Sequence, residues 1–240
     1  INEALQDIAV ALKLDPTYAD AHYNLGIMLQ SQQRYDEAIQ SYQRAIAIHP
    51  TNAQAHYNQG LSAQALLRLE EAVRSYDAAI AIYPEYAQAY NNRGNALIDL
   101  RQLDAAIVSL ETAIKINPSY SKAFSAKALV LKNLAQYSNA INHYKKSIQL
   151  NPQDAQTLNN LAILYSELDN NSEAINYFNK SIQISKNFAS AQFNKAEHLL
   201  KIGNYVEGWE LYEWRWKTKF RKNKPTAKYP ELVLNVPLKN

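Results

Sequence analysis

Cysteine is absent from the 240 residues. That excludes disulfides and cysteine–metal sites, and it fits the reducing cytoplasm, where we place the chain. Glycine is scarce, with five residues. There is accordingly no phosphate-cradling glycine loop, and turn material is too sparse for a β-rich fold. No apolar run approaches the roughly 18–20 residues of a membrane-spanning helix, and nothing resembles a signal peptide. No His/Glu set has the i, i+3 or i+4 partners of a metal site, and no serine has an implied His–acid pair. Neither catalysis by this segment nor a cofactor or metal is expected.

What is present is helix-forming: Ala, Leu, Ile, Gln and Asn in abundance. The net charge of +3 hides an asymmetry. Seven basic residues and no acidic one lie between Trp214 and Pro230, while the rest of the chain carries 18 basic and 22 acidic residues. The basic stretch has no stacking or base-reading pattern beside it, so nucleic acid is not an expected partner.

A period of 34 organises the chain. Prolines fall at 16, 50, 84, 118 and 152, and alanines at 4, 38, 72, 106, 140 and 174. Small residues recur at Gly26, Gly60, Gly94, Ala128, Ala162 and Ala196, and large ones at Tyr42, Tyr76, Leu110, Tyr144, Phe178 and Tyr212. The repeats are 19–52, 53–86, 87–120, 121–154, 155–188 and 189–222, the last degenerate and capping. Residues 1–18 read as the second half of an earlier repeat, and the chain begins with Ile1 rather than Met, so upstream sequence is expected. Residues 223–240 read as a basic, proline-containing extended tail.

Apolar residues at i, i+3, i+4 and i+7 predict two helices per unit, about 19–32 and 36–49 in the first repeat. Asp36, Asp104, Ser138 and Ser172 are expected to start B helices as caps or first-turn acids. The X-Pro pairs end them, because the residue before proline avoids the α region. One helix pair cannot bury its apolar stripe alone, whereas stacked pairs can. With its small residue, alanine, aromatic and proline at these places, the pattern resembles the tetratricopeptide repeat. The resemblance implies an all-α, right-handed superhelical solenoid of antiparallel helix pairs. Proline is missing at Ser185-Lys186 and again at Phe220.

The concave face of such a solenoid is lined by A helices, so ligand residues are sought there. The sixth place of successive repeats is Asn24, Asn58, Asn92, Ala126, Asn160 and Asn194. Asparagine is a poor interior helix residue, so its recurrence points to a side-chain role. Each carboxamide matches the N–H and C=O of a peptide unit, and a row of them could hold an extended polypeptide by its backbone. Alternatively, the amides bond neighbouring A helices and set the superhelical pitch. The row resembles the asparagine ladder in the repeat region of O-GlcNAc transferases, which grips substrate polypeptides. Tyr23 and Tyr57 at the fifth place are expected to join the peptide-binding set. The Lys/Arg cluster that would hold a C-terminal carboxylate is missing from these positions.

The segment GWELYEWRWK (208–217) holds every tryptophan of the chain. In B-helix register, Trp209 and Trp216 take isoleucine or valine places and are expected to be buried. Trp214 follows Arg44, Ala78, Thr112, Lys146 and Lys180 and is expected to be more exposed. Trp214 with Arg215 is read as a domain-docking pair, since aromatic and arginine residues anchor interfaces. This segment, the basic run and the closing PLKN resemble bacterial proteins in which such repeats precede a glycosyltransferase-like domain. The expected partners are therefore a polypeptide in the groove and a C-terminal catalytic domain of the parent chain. A non-enzymatic scaffold for complex assembly is the alternative.

Overall fold

The computed structural model describes residues 2–218, the side chains of residues 2–5 excepted. Residues 219–222 of the sixth repeat and the expected tail 223–240 lie outside them. Among the described residues there are thirteen α-helices and no strand. The chain divides into two compact units, Ile1–Gln153 and Asp154–Asn240.

The first unit holds α1 (Asn2–Leu14) and four helix pairs. These are α2 (Ala19–Ser31) with α3 (Tyr35–Ile48), α4 (Ala53–Ala65) with α5 (Leu69–Ile82), α6 (Ala87–Asp99) with α7 (Leu103–Ile116), and α8 (Ser121–Asn133) with α9 (Tyr137–Leu150). Each A helix packs on its own B helix, and each of α3, α5 and α7 also packs on the A helix that follows. The second unit holds α10 (Ala155–Glu167) with α11 (Asn171–Ile184), then α12 (Ala189–Lys201) with α13 (Tyr205–Tyr212) and a 3₁₀ segment, Glu213–Lys217. The helices thus fall within a residue or two of the expected bounds.

Two turns alternate. Between A and B helices the chain makes a Schellman turn six times. In the first, the Arg34 N–H reaches the Leu29 carbonyl and the Gln33 N–H the Gln30 carbonyl, both at 2.9 Å. The residue at the bend is left-handed: Gln33, Leu67, Arg101, Ala135 and Asp169 have φ between 56° and 61°, and only Gly203 is glycine. The B helices therefore begin at Tyr35, Leu103, Tyr137 and Asn171, with Arg34, Gln102, Gln136 and Asn170 at the cap. Asp36 and Asp104 are first-turn acids as expected. Ser138 and Ser172 are not caps, because the turn places the cap two residues earlier; Asn170 does that job through the Glu173 N–H.

Between repeats the residue before proline is extended, as at His49 (φ −128°, ψ 81°). Ser185 adopts the same conformation (φ −133°, ψ 90°) with lysine after it, so the missing proline leaves the turn unchanged. His22 and His56 brace this turn through Nε2 to the carbonyls of Pro16 (2.9 Å) and Pro50 (3.1 Å).

The core follows the repeat. Tyr42, Tyr76, Leu110, Tyr144 and Phe178 are buried between paired helices with alanines 38, 72, 106, 140 and 174. A β-carbon added at Gly26 would lie 2.5 Å from the Tyr42 ring, so glycine is what lets the ring seat there. The hydroxyls of Tyr42 and Tyr76 are satisfied where the rings enter the core, donating to Gln30 (2.6 Å) and Gln64 (2.8 Å).

Candidate functional site

In the first unit α2, α4, α6 and α8 present the fifth and sixth places of their repeats. The sixth-place amides do not stand alone. Asn58 Nδ2 donates to the Tyr23 hydroxyl at 3.1 Å, and Asn92 Nδ2 to the Tyr57 hydroxyl at 2.8 Å. Each bond reaches back 35 residues, from one A helix to the fifth place of the A helix before it. In the second unit Asn194 Nδ2 donates to Asn159 Oδ1 at 3.1 Å over the same interval. The asparagines therefore tie neighbouring A helices together within each unit.

This use consumes one N–H of each amide. Asn58 and Asn194 keep the second N–H and the carbonyl without partners among the described residues. Asn160 accepts from Gln156 Nε2 at 2.8 Å and keeps both its N–H groups. Asn92 accepts from Asn91 Nδ2 at 3.0 Å and keeps one N–H. Asn24 is exposed, and its side chain bonds to no described residue. At Ala126 the bond cannot form. Its expected acceptor, the buried carbonyl oxygen of Asn91, has no hydrogen-bond partner among the described residues.

The sequence reading missed this fifth-place role. The signal was available: Tyr23, Tyr57, Asn91 and Asn159 can all accept a hydrogen bond, at a constant 35 residues before a sixth place. Phe193 cannot, and its ring instead meets Tyr212 at 5.4 Å.

In the first unit the surroundings are aromatic. Tyr86, at the N-cap of α6, lies 4.8 Å from the Tyr57 ring and 5.6 Å from that of Tyr83. Burial, with neighbouring tyrosines, pushes the Tyr86 hydroxyl up to about 12. Burial also raises Tyr23 and Tyr57, although the amide bonds from Asn58 and Asn92 oppose it. In the first unit Ile27, Gln30, Ser31, Tyr35 and Asn58 line an open cavity of about 440 Å³. In the second, a cavity of about 390 Å³ is lined by Gln156, Asn159, Asn160 and Asn194 together with Phe193, Thr218 and one carboxylate, Glu197. Among the described residues no group of three or more His, Asp or Glu could hold a metal ion. None of the described helices is long and apolar enough to cross a membrane.

The tryptophans depart from expectation. Trp209 is 55% exposed rather than buried. Ile39, at its place in the first repeat, is covered by the next A helix in a cluster with Ala63; no described helix covers α13 in that way. Trp216 is half-buried, not enclosed, and Trp214 is half-buried alongside it. The cause is the change from α to 3₁₀ at Glu213, which abandons the 100° step on which the register rests. The Arg215 guanidinium lies between the rings of Tyr212 (4.6 Å) and Trp216 (4.5 Å) and donates to the Tyr212 carbonyl. The Lys217 ammonium covers Trp214 at 3.9 Å. Gly208 keeps its expected register, buried against Leu200.

Family models described as tetratricopeptide repeat match residues 19–52 and 87–120, and 119–187; one described as TPR repeat matches 68–100. Between them they span more than half of the chain. No curated protein matches it significantly. Among solved structures, PilF of Pseudomonas aeruginosa is 21% identical with a TM-score of 0.70, over 83% of this chain and 90% of that one. TTC0263, a thermophilic TPR protein of Thermus thermophilus, is 23% identical with a TM-score of 0.66, over 76% and 99%. YrrB, a TPR protein with an unusual peptide-binding site, is 21% identical with a TM-score of 0.60, over 78% and 97%. At these identities the likeness concerns the fold.

Proposed function

Because the chain belongs to the tetratricopeptide repeat proteins, we propose that its A-helix faces hold an extended polypeptide through the sixth-place carboxamides. The observation that carries this is the unspent capacity of those amides. After tying the helices together, Asn58 and Asn194 each retain an N–H and a carbonyl, which is what a peptide unit requires. In the second unit Asn160 and Asn194 line one cavity with Phe193, an amide floor beside an aromatic wall. Tyr23 and Tyr57 serve the same role in the first unit, each already oriented by an asparagine. A peptide-binding site is also what distinguishes YrrB.

In the fuller form of this reading the chain is the substrate-recognition part of a larger cytoplasmic bacterial glycosyltransferase. The segment GWELYEWRWK supports it by resemblance. Trp214 and Arg215 would then face the catalytic domain from a turn already stiffened by stacking. A second reading is favoured by the inter-helix bonds themselves: the amides serve chiefly to space the repeats, and the protein is a scaffold without an attached enzyme.

The two readings separate by mutation. Peptide arrays of unstructured sequences, read by fluorescence polarisation, are compared between the native chain and a variant with Asn24, Asn58, Asn92, Asn160 and Asn194 all changed to Ala. Each lost bond removes about 0.5–1.5 kcal/mol, so the combined loss is severe where single ones are mild. If the combined variant folds and binds equally well, the amides are spacers.

A further inference from the structure

We propose that the outer face of α13 is a docking surface for an amphipathic α-helix of a partner protein, seated as the A helix of a following repeat would be. The inference does not depend on what the A-helix faces bind.

The face is apolar where the repeat pattern is not. Val206 is 84% exposed. The five preceding repeats carry Asp36, Glu70, Asp104, Ser138 and Ser172 at its place. Trp209, 55% exposed, stands where the others have Ile or Val. Tyr205 is 63% exposed. At about 100° per residue these three side chains fall within one arc of roughly 100°. A helix end that only needed to meet solvent would keep an acid or serine at position 206 and would not enlarge the residue at 209. A stripe of this kind marks an interaction surface.

The repeats indicate what fits. At the interfaces of α3 with α4, α5 with α6 and α7 with α8, an apolar residue of the B helix is covered by the next A helix. Ile39 does so in a cluster with Ala63 and Ala96. An indole is larger than an isoleucine side chain, so a helix in that seat needs alanine or glycine opposite Trp209 to reach the same axial distance. Charge specifies its flank. Glu207 and Glu213 are paired with Lys195 and Arg215. Glu210, beside Trp209 and one turn beyond Val206, has no basic partner among the described residues, and none of the earlier repeats carries an acid at its place. The partner helix is therefore small-residue on its contact face and basic along one edge.

The test uses the full chain and a lactam-bridged helix of 18 residues with alanines on one face and lysines on the flanks, labelled for fluorescence polarisation. A second helix carries glutamates in place of the lysines. The lysine helix is expected to bind, and Val206→Asp and Trp209→Ala each to weaken it about tenfold or more with the circular dichroism spectrum unchanged. The glutamate helix is expected to bind several-fold more weakly, a difference that Glu210→Gln removes. Equal binding of both helices, or no response to Val206→Asp and Trp209→Ala, overturns the proposal. So does a dimer in sedimentation velocity that Trp209→Ala dissolves, since the occupant is then a second copy. Full protection of Trp209 from acrylamide in the free chain, measured by difference against Trp209→Phe, also overturns it, since a segment of the chain itself then fills the seat.

Discussion

Leu67 is a left-handed residue that does not need its side chain. Its φ is +59°, and the side chain is 79% exposed. Left-handed backbone costs an L-residue about 1–2 kcal/mol relative to the right-handed form, and glycine escapes that penalty. Glycine in turn makes the unfolded chain more flexible, at about 0.4–1 kcal/mol. The leucine forfeits almost no burial here. Leu67→Gly is therefore expected to stabilise the protein by about 0.5–1 kcal/mol. Ala135, two repeats further on and also left-handed at φ +58°, gives an independent copy of the test. The two changes are far enough apart to add, for a combined gain of about 1–2 kcal/mol. Urea unfolding followed by circular dichroism reads the gain as a higher midpoint at constant slope. Leu66→Gly is the contrasting change: Leu66 has φ −86° and packs against the cluster of Ala63 and Tyr76, so glycine there relieves no strain, loses packing as well as stiffness, and is expected to destabilise. If Leu67→Gly lowers the midpoint at all, backbone strain at the Schellman bend is not the governing cost.

Three further outcomes are expected. Asn58→Ala should lower the urea midpoint by the equivalent of about 0.5–1.5 kcal/mol because it removes the bond to Tyr23, whereas Asn24→Ala, exposed and unbonded among the described residues, should not lower it and, alanine being the better helix former, should raise it slightly. Tyr76→Phe, which deprives Gln64 of its hydroxyl donor at 2.8 Å, should cost about 1 kcal/mol, and Tyr76→Ala about 3–5 kcal/mol as the fully buried ring is lost; equal losses in the two variants would refute the packing account. Burial and the Lys201 charge hold His198 below the ordinary histidine range, so its neutral form is favoured by folding. Its contribution is complete above about pH 6.5 and is lost as the pH falls below it, and His198→Gln should flatten that decline in urea midpoints taken from about pH 7.5 to 5.

The 34-residue period made the helices legible to within a residue or two, because small, aromatic and proline places recur at fixed offsets. The Schellman bends were not legible. Their usual signal is glycine, and five of the six use Gln, Leu, Arg, Ala or Asp instead. The caps at Ser138 and Ser172 were misplaced for the same reason. The sixth-place asparagines stood out, but their acceptors did not, since a hydrogen bond across 35 residues leaves no mark on local periodicity. Trp209 was misjudged because B-helix burial is lent by the following A helix and is not a property of the position. Trp216 was misjudged because no residue in the segment announces the change to 3₁₀ at Glu213.

The tyrosines and carboxamides of the A-helix faces have a consequence for how a ligand would arrive. Asn and Gln do not titrate, and burial keeps the hydroxyls of Tyr23, Tyr57 and Tyr86 protonated well into alkaline solution. In the first unit the surface is electrically quiet, its cavity lining of Ile27, Gln30, Ser31, Tyr35 and Asn58 carrying no charge. A chain settling there would release few counterions, so its affinity should stay nearly flat with ionic strength. It would also gain no long-range steering, which leaves association near the unassisted rate of about 10⁵–10⁶ M⁻¹s⁻¹. Recognition would rest on hydrogen-bond geometry alone, which every peptide backbone can meet and no particular charge pattern can improve.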